Sequence, residues 1–570
     1  MIWGLNLWMS GGHFMLNDYF KATFIAGALT VCILGIVLKL FYLQVVKHDF
    51  YEDMAKNQSS VTVTLDKNRG MIFDRNAKVL ATNVYTASVY VDASKIKNPK
   101  NFIYVLSVNG VNLSNRVKEK ILRKDRFVWI DRGLDVESAR KLTRLDENLQ
   151  LIYQERRFYP EGDTASKIVG FTGIDNQGLE GVETFFEKTL KGEKVNVAVL
   201  RDSRGNTMTF EDKIMKTSPD KNIYLSLDVD LQKVVSGILY NDLKEFGAKG
   251  VLAGAMDIQT GEIIFSTSLP SFDANSFENY KRQLWKDPLF YYLFEPGSIF
   301  KAVTFSALSD AGVLKWDEKV NCENGKYYYM GHTFNDVHEY KELNLSEVFA
   351  FSSNIGTIKL SEKITSRQFY DYIKKYGFGD SSGVVGFADE TGLLRNYKQW
   401  SGLSRPSISI GQEVLVTPIQ ILRFYASIAN GGYLITPRVI KGVSKERKKI
   451  MSDYTANLLK ELLIKVVEDG TGQNAKSSIV KIAGKTGTAQ KFDKESNSYS
   501  YREYNASFVG FFPAENPKFV MIVTYDSPKK SIYGGSTAAY TFRKLAEQIA
   551  VFYKLNLNQM LVEDENKRAS

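Results

Sequence analysis

Phe294-Glu295-Pro296-Gly297-Ser298-Ile299-Phe300-Lys301, continuing as Ala302-Val303-Thr304-Phe305-Ser306-Ala307-Leu308, decides how this chain is read. Pro296-Gly297 is a turn dipeptide, and the periodic apolar run behind it ends near Gly312, so Ser298 is expected at a helix N-terminus. Helical positions three apart share a face, which puts the Lys301 ammonium within reach of the Ser298 hydroxyl. A serine hydroxyl is a weak nucleophile until a neighbouring base takes its proton. Lysine can be that base only if its pKa drops towards neutrality, a bias of about 4 kcal/mol that burial and positive potential could supply. The helix N-terminus provides part of that potential.

Spacing alone does not select this pair. Ser94/Lys97, Ser138/Lys141, Ser218/Lys221, Ser478/Lys481 and Ser527/Lys530 repeat it. Context separates them: Ser138 lies in a strongly charged helical stretch, Ser218 and Ser527 precede prolines, and Ser94 and Ser478 sit in short polar segments. Downstream, Ser352-Ser353-Asn354 reads by itself as a polar loop capping the next helix. Read as chemistry, it offers Ser352 as a proton shuttle beside Lys301, and the Asn354 amide as a partner for Lys301 and a peptide substrate. Lys485-Thr486-Gly487-Thr488 follows a strand-like IleValLysIleAlaGly and occurs once. Gly487 lets a substrate backbone approach closely, and Lys485 with the two hydroxyls forms a donor-rich edge suited to a carboxylate. An edge strand that accepts a peptide as a further strand needs this composition.

In this order the three elements resemble the serine, lysine, asparagine and Lys-Thr-Gly set of penicillin-binding proteins and serine β-lactamases. The resemblance covers roughly residues 37–550 and is that of a class B penicillin-binding protein of the septal, cell-division type. It runs from PheGluProGlySerIlePheLys through SerSerAsnIleGly, IleGlyGlnGluValLeuValThrProIleGln and AlaGlyLysThrGlyThrAlaGln to SerPheValGlyPhePhePro. Earlier in the chain it includes Arg69-Gly70-Met71-Ile72-Phe73-Asp74-Arg75-Asn76, ArgPheTyrPro at 157–160 and Gly178-Leu179-Glu180-Gly181. Ala77 and Tyr540 stand where the family commonly has glycine and proline, both away from the chemistry.

With 570 residues, two or more domains are expected. The net charge of +10 is diffuse. It lacks the concentrated basic stripe of a nucleic-acid binder and suits work beside anionic lipid or polymer. Cys32 and Cys322 are the two cysteines and form no staple between domains. His332 and His338 flank Asp336, but surface-loop histidines are the preferred reading over a metal site. From Ala22 to Leu38 the chain carries no charge, and apolar character resumes after Lys39. About 20 such residues cross a bilayer, so an uncleaved anchor is expected rather than a signal peptide.

The expected architecture is multi-domain: a tail (1–20), a transmembrane helix (21–45), an α+β non-catalytic pedestal or dimerisation-like domain (46–220), a transpeptidase domain (221–555) and a flexible tail (556–570). Polar Lys213–Asn222 marks the boundary between the two large bodies. The second body shows two hairpins and several helices, and the resemblance implies the penicillin-binding, β-lactamase-like antiparallel sheet with helices on both sides. It further implies a D-alanyl-D-alanine transpeptidase acting on peptidoglycan stem peptides outside the bacterial cytoplasmic membrane and acylated by β-lactams. Ser298 would be the nucleophile, Lys301 its base and Ser352 the proton shuttle. Asn354, Lys485, Thr486, Gly487 and Thr488 would bind substrate, and the Ser298 and Thr488 amides would form the oxyanion hole. No metal or organic cofactor is needed. The same analogy implies association with a polytopic lipid-linked glycan polymerase and other division proteins, and no nucleic acid. An elongation-type transpeptidase, a D,D-carboxypeptidase and a penicillin sensor are the alternatives.

Overall fold

A computed structural model describes residues 10–66, 69–191, 194–200, 221–315, 317–442, 447–493 and 498–555. Two compact units divide the chain, one within Met1–Lys67 and Glu193–Ser218, the other within Asn68–Gly192 and Pro219–Ser570. Most of the expected boundary segment Lys213–Asn222, the whole 556–570 tail and residues 1–9 fall outside the described residues.

In the first unit, helix Ser10–Phe41 passes through one wider turn, Tyr42–Val46, into helix His48–Ser59. Strand Ser60–Asp66 then pairs antiparallel with Lys194–Leu200, in register from Ser60↔Leu200 to Asp66↔Lys194. The 28 residues Tyr19–Val46 are long and apolar enough to cross a bilayer. Their large apolar side chains, such as Phe24, Leu34 and Phe41, are exposed. The polar atoms on this helix are satisfied locally: the Thr23 and Thr30 hydroxyls donate to the Tyr19 and Ala26 carbonyls at 2.7 and 2.8 Å. The expected anchor, 21–45, lies inside this stretch.

The second unit begins with a sheet in which Val79–Val91 pairs with Ile72–Phe73, Val128–Leu134 and Leu149–Phe158, and Ile223–Tyr224 adds parallel to Ile72–Phe73. Residues 114–145, which read as polar and helical, contain two helices, Asn115–Leu122 and Val136–Thr143, with strand Val128–Leu134 between them. That strand escapes detection because its apolar part is only Val128-Trp129-Ile130, and Asp131-Arg132-Gly133 interrupts the alternation. Ser114 and Asp135 start the helices by accepting from the Val117 and Ser138 amides. Val89, Phe102, Leu106, Ile121 and Leu149 close a core beneath the sheet.

Two family-like patches, far apart in sequence, meet in one buried ionic cluster at Glu183, just beyond a third. Glu183 accepts from Arg69 Nε and Arg157 Nε, both at 2.6 Å, and all three side chains are essentially inaccessible. Arg69 also reaches Glu187 at 2.6 Å. A carboxylate between two guanidinium groups recovers its lost hydration only while all partners stay in place.

The remainder builds around helix α1 (Val229–Phe246), strands β1 (Gly250–Asp257) and β2 (Ile263–Leu269), and helices α2 (Lys301–Asp310), α3 (Asn354–Ser361), α4 (Pro418–Ala429) and α5 (Asp453–Glu468). Strands β3 (Ala483–Asp493), β4 (Ser498–Phe512) and β5 (Phe519–Asp526) and helix α6 (Ala538–Phe552) complete it. The antiparallel sheet runs β2-β1-β5-β4-β3, so both expected hairpins form and β3 lies at an edge. Period-two alternation splits the strands between two cores. Val251, Ala253, Ala255, Met521, Val523 and Tyr525 face α1 and α6, whereas Leu252, Met256, Val520 and Ile522 join the core of α2, α4 and α5. Helices therefore cover both faces, and the edge next to α2 is left for a site.

Candidate active site

Ser298 lies in a single tight turn, Gly297–Phe300, that runs directly into α2. Ile299 and Phe300 are fully buried, and the Tyr425 hydroxyl donates to the Ile299 carbonyl at 2.7 Å. On its other side, the Gly297 amide donates to the Gly411 carbonyl at 3.0 Å. Gly411 has φ +84°, and a Cβ there would sit 2.1 Å from the Gly297 carbonyl oxygen. The IleGlyGln segment thus presses its backbone against the serine turn as only glycine can.

Lys301, one helical turn on, is completely buried. Its Nζ donates to the Ser352 carbonyl at 2.5 Å, to Ser352 Oγ at 3.2 Å and to Asn354 Oδ1 at 2.7 Å. None of these three bonds goes to Ser298, so the reach inferred from helix spacing is realised first towards the Ser-Ser-Asn element. Burial pushes Lys301 down to about 7, with the Asp336 carboxylate opposing the shift. The other serine–lysine pairs lack this setting: Lys141 and Lys530 are exposed and paired with Glu137 and Glu245, both at 2.9 Å. Ser218 lies outside the described residues.

Ser352 adopts φ +60°, a left-handed conformation uncommon for a residue with a side chain. It joins the end of helix Leu345–Ala350 to α3, where Ser353 Oγ accepts from the Gly356 amide at 2.9 Å. The capping role falls to Ser353, while its neighbours Ser352 and Asn354 accept from Lys301. Asp336 holds the element. Its carboxylate accepts from Ser353 Oγ at 2.6 Å and from the Asn354 and Ile355 amides, while Asn354 Nδ2 donates to the Asn335 carbonyl at 2.9 Å. A carboxylate at the N-terminus of α3 is favoured by the helix dipole as well. Sequence reasoning noticed Asp336 only for its flanking histidines. Those are exposed, His332 against Phe334 and His338 against Tyr340, and the three form no metal-sized cluster.

Edge strand β3 brings the last element. Gly487 packs so closely on the serine turn that a Cβ would lie 2.9 Å from Ile299 Cγ2 and 3.2 Å from the Pro296 carbonyl. Lys485 is fully buried, within 6.0 Å of the Phe349 ring centre. Burial, and secondarily the positive charge of Lys301, holds its pKa well below the usual lysine range. Thr486 Oγ1 shares a 2.6 Å hydrogen bond with Thr471 Oγ1, and Thr488 Oγ1 accepts from the Gly534 amide at 3.2 Å. Ser298, Ser352, Asn354 and Thr488 are half-buried, whereas Lys301 and Lys485 are completely buried. Thr471, Gly411 and Gly534 support the site from distant loops; of the three only Gly411 lies in a stretch that the family resemblance marks.

A serine turn beside an edge strand, with a buried lysine joined to Ser-Ser-Asn, suits acyl transfer. The family descriptions "Penicillin binding protein transpeptidase domain" and "Penicillin-binding Protein dimerisation domain" match residues 251–547 and 64–225. The chain belongs to the class B penicillin-binding proteins. It is similar to the probable peptidoglycan D,D-transpeptidase PenA of Neisseria meningitidis, 30% identical over 92% of this chain and 91% of that one. Stage V sporulation protein D of Bacillus subtilis is 30% identical over 88% and 81%, and peptidoglycan D,D-transpeptidase FtsI of Escherichia coli 27% over 95% and 93%. Penicillin-binding protein 3 of Mycobacterium tuberculosis, solved with aztreonam and with ampicillin, superposes with TM-score 0.66 at 25% identity, covering 86% of this chain. As a class B penicillin-binding protein the chain is a serine-type peptidoglycan D,D-transpeptidase, with a dimerisation pedestal ahead of its transpeptidase domain.

Proposed function

We propose that this penicillin-binding protein cross-links stem peptides ending in D-alanyl-D-alanine during septal wall synthesis, with Ser298 as nucleophile and Lys301 as its base. One observation carries the residue roles: the buried Lys301 ammonium is joined to Ser352 and Asn354 one turn from Ser298, beside the Lys485–Thr488 edge. Three donated bonds need an ammonium. A neutral amine must give one up to receive a proton on its lone pair, and of the three acceptors only the Ser352 hydroxyl can turn donor. Ser352 is therefore the relay.

In the first half-reaction Ser298 Oγ bonds to the carbonyl carbon between the two alanines as its proton passes to Lys301. The developing oxyanion is held by the Ser298 and Thr488 amides, each such donor being worth about 3 kcal/mol. The C–N bond then breaks, and the departing D-alanine amine takes a proton from Lys301 through Ser352. An amine of a second stem peptide attacks the ester, loses its proton by the same route, and returns Ser298 to its hydroxyl form. Lys485, Thr486 and Thr488 receive the terminal carboxylate, Gly487 allows the substrate strand to lie close, and Asn354 bonds its backbone. A bound carboxylate offsets the burial penalty on Lys485 and restores its charge.

The apolar Tyr19–Val46 helix supports a single membrane pass, and the catalytic part is assigned to the outside of the cytoplasmic membrane because its peptidoglycan substrate is there. A polytopic lipid-linked glycan polymerase and other division proteins are the partners that this placement suggests. Likeness to FtsI along nearly the whole chain supports the septal role. Fluorescent penicillin should label the purified chain, with the adduct mapped by mass to Ser298, and undiminished labelling of Ser298→Ala would refute the assignment. Depletion in the native host should block septation while growth in length continues. Rounding without a division block would instead favour the elongation role.

A further inference from the structure

A second site is built into the junction between pedestal and transpeptidase portions. Strand Leu149–Phe158, the Phe171–Glu180 hairpin and the segment Ala274–Glu278 enclose a cavity of about 110 Å³. Its two sides are clasped together. The Tyr159 amide donates to Asn275 Oδ1, and Asn275 Nδ2 donates to the Tyr159 carbonyl, both at 2.9 Å, while Phe277 stacks on Phe171 with ring centres 4.0 Å apart.

Polar atoms without a partner among the described residues collect at this cavity. Arg157 lines it and is 4% exposed. Its Nε is committed to Glu183 and its Nη1 to Asn83 Oδ1 at 3.1 Å, but Nη2 has no partner among the described residues. Arg132 lines it too. One Nη2 bond reaches Asp175 Oδ1 at 2.8 Å, and its buried Nε is unpartnered. Asn176, in a left-handed backbone conformation at φ +61°, lines the cavity with a buried Oδ1 that has no partner among the described residues, and a half-turn of its amide would present donors instead. Arg156 on the rim is exposed and makes no ion pair among the described residues.

Buried guanidinium donors left unbonded are costly, and a planar carboxylate is the acceptor whose shape matches them. Glu155 and Glu278 also line the cavity. Together with Asp175 and Glu183, already paired with Arg132 and Arg157, they offset the arginine charge, which leaves room for a single negative charge and disfavours a dianion such as phosphate. The space suits a group of a few heavy atoms.

We propose that this cavity binds a monocarboxylate, gripped by Arg157 and Arg132, at the seam joining pedestal to transpeptidase. The carboxylate belongs either to a free small molecule or to a peptide terminus, and the chemistry of recognition is the same. Occupancy would stiffen the seam, because the ligand adds bonds to elements that Asn275 already ties to the catalytic part.

The test is calorimetric titration of the full chain in detergent with propionate, propionamide and acetyl-glycyl-glycine at constant ionic strength. Lys485→Gln serves as the control that removes carboxylate binding at the Ser298 site. One saturable carboxylate site should persist in Lys485→Gln, with propionamide silent. Arg132→Gln should weaken it by about tenfold or more, the effect of losing one charge-assisted bond. Asn176→Asp should abolish it and raise the melting temperature without ligand, because a tethered carboxylate then occupies the arginines. A preference for acetyl-glycyl-glycine over propionate identifies a peptide terminus, and equal binding a free small carboxylate. Absence of binding by both acids, or binding unchanged by Asn176→Asp and Arg132→Gln, overturns the proposal.

Discussion

Replacing Asp336 by asparagine separates the electrostatic part of the site from its geometry. Asp336 makes no hydrogen bond or ion pair with Lys301 yet holds Ser353, Asn354 and Ile355, and its negative charge keeps the Lys301 pKa from falling further. Moving Lys301 from 10.5 to about 7 represents roughly 4–5 kcal/mol of bias against its ammonium. With a midpoint near 7, about half of the lysine is neutral at pH 7 and about one-tenth at pH 6. Acylation needs the neutral form, so the second-order rate constant for a fluorescent penicillin should rise through pH 7 and level off above about pH 8. Asparagine keeps the size and an acceptor for the α3 amides but removes the negative charge. Lys301 should then lose its proton more readily, and the rising limb should move to lower pH. The plateau should drop as well, because weaker capping loosens Asn354, by the roughly 1 kcal/mol typical of a cap. The assay is stopped-flow labelling of purified wild type and Asp336→Asn from pH 5 to 9. A wild-type midpoint above 9, or a limb that stays in place or moves to higher pH in the variant, would refute the account of how Lys301 becomes a base.

Linkage makes a further statement about Lys301: its folded pKa is depressed, so the unfolded chain binds more protons between about 7 and 10. Stability should therefore rise with pH across that window through this group, measurable as a higher urea midpoint in wild type and a flatter pH dependence in Lys301→Met. Glu183→Ala leaves Arg69 and Arg157 buried without their shared carboxylate and should cost about 3–5 kcal/mol, seen as a large drop in melting temperature. Gly411→Ala would drive a methyl group into the Gly297 carbonyl and should reduce penicillin labelling far more than it reduces thermal stability. Lys485→Ala should slow acylation by carboxylate-bearing β-lactams much more than acylation by a neutral activated ester, since only the former needs the edge-strand cation.

Local pattern and global placement divide cleanly in this chain. A turn dipeptide before an apolar helical run places Ser298 at a helix start, apolar runs flanking turn residues announce both hairpins, and the uncharged stretch Ala22–Leu38 announces the Tyr19–Val46 helix. Each is written within a dozen or two consecutive residues, where backbone preference and periodicity act. The preference for Ser298 over five rival serine–lysine pairs rests on context and the order of the later motifs, and the burial of Lys301 supports it. What sequence could not contain is desolvation. Lys301 and Lys141 have the same spacing to a serine, and only packing under Ser352 and Asn354 buries the first while the second stays in water with Glu137. The roles of Asp336, Gly411 and Thr471, and the meeting of Arg69 and Arg157 at Glu183, are contacts between segments far apart along the chain. Residue types and their order were determined by the sequence alone; the lowered basicity of Lys301 exists only once the tertiary fold has excluded water from around it.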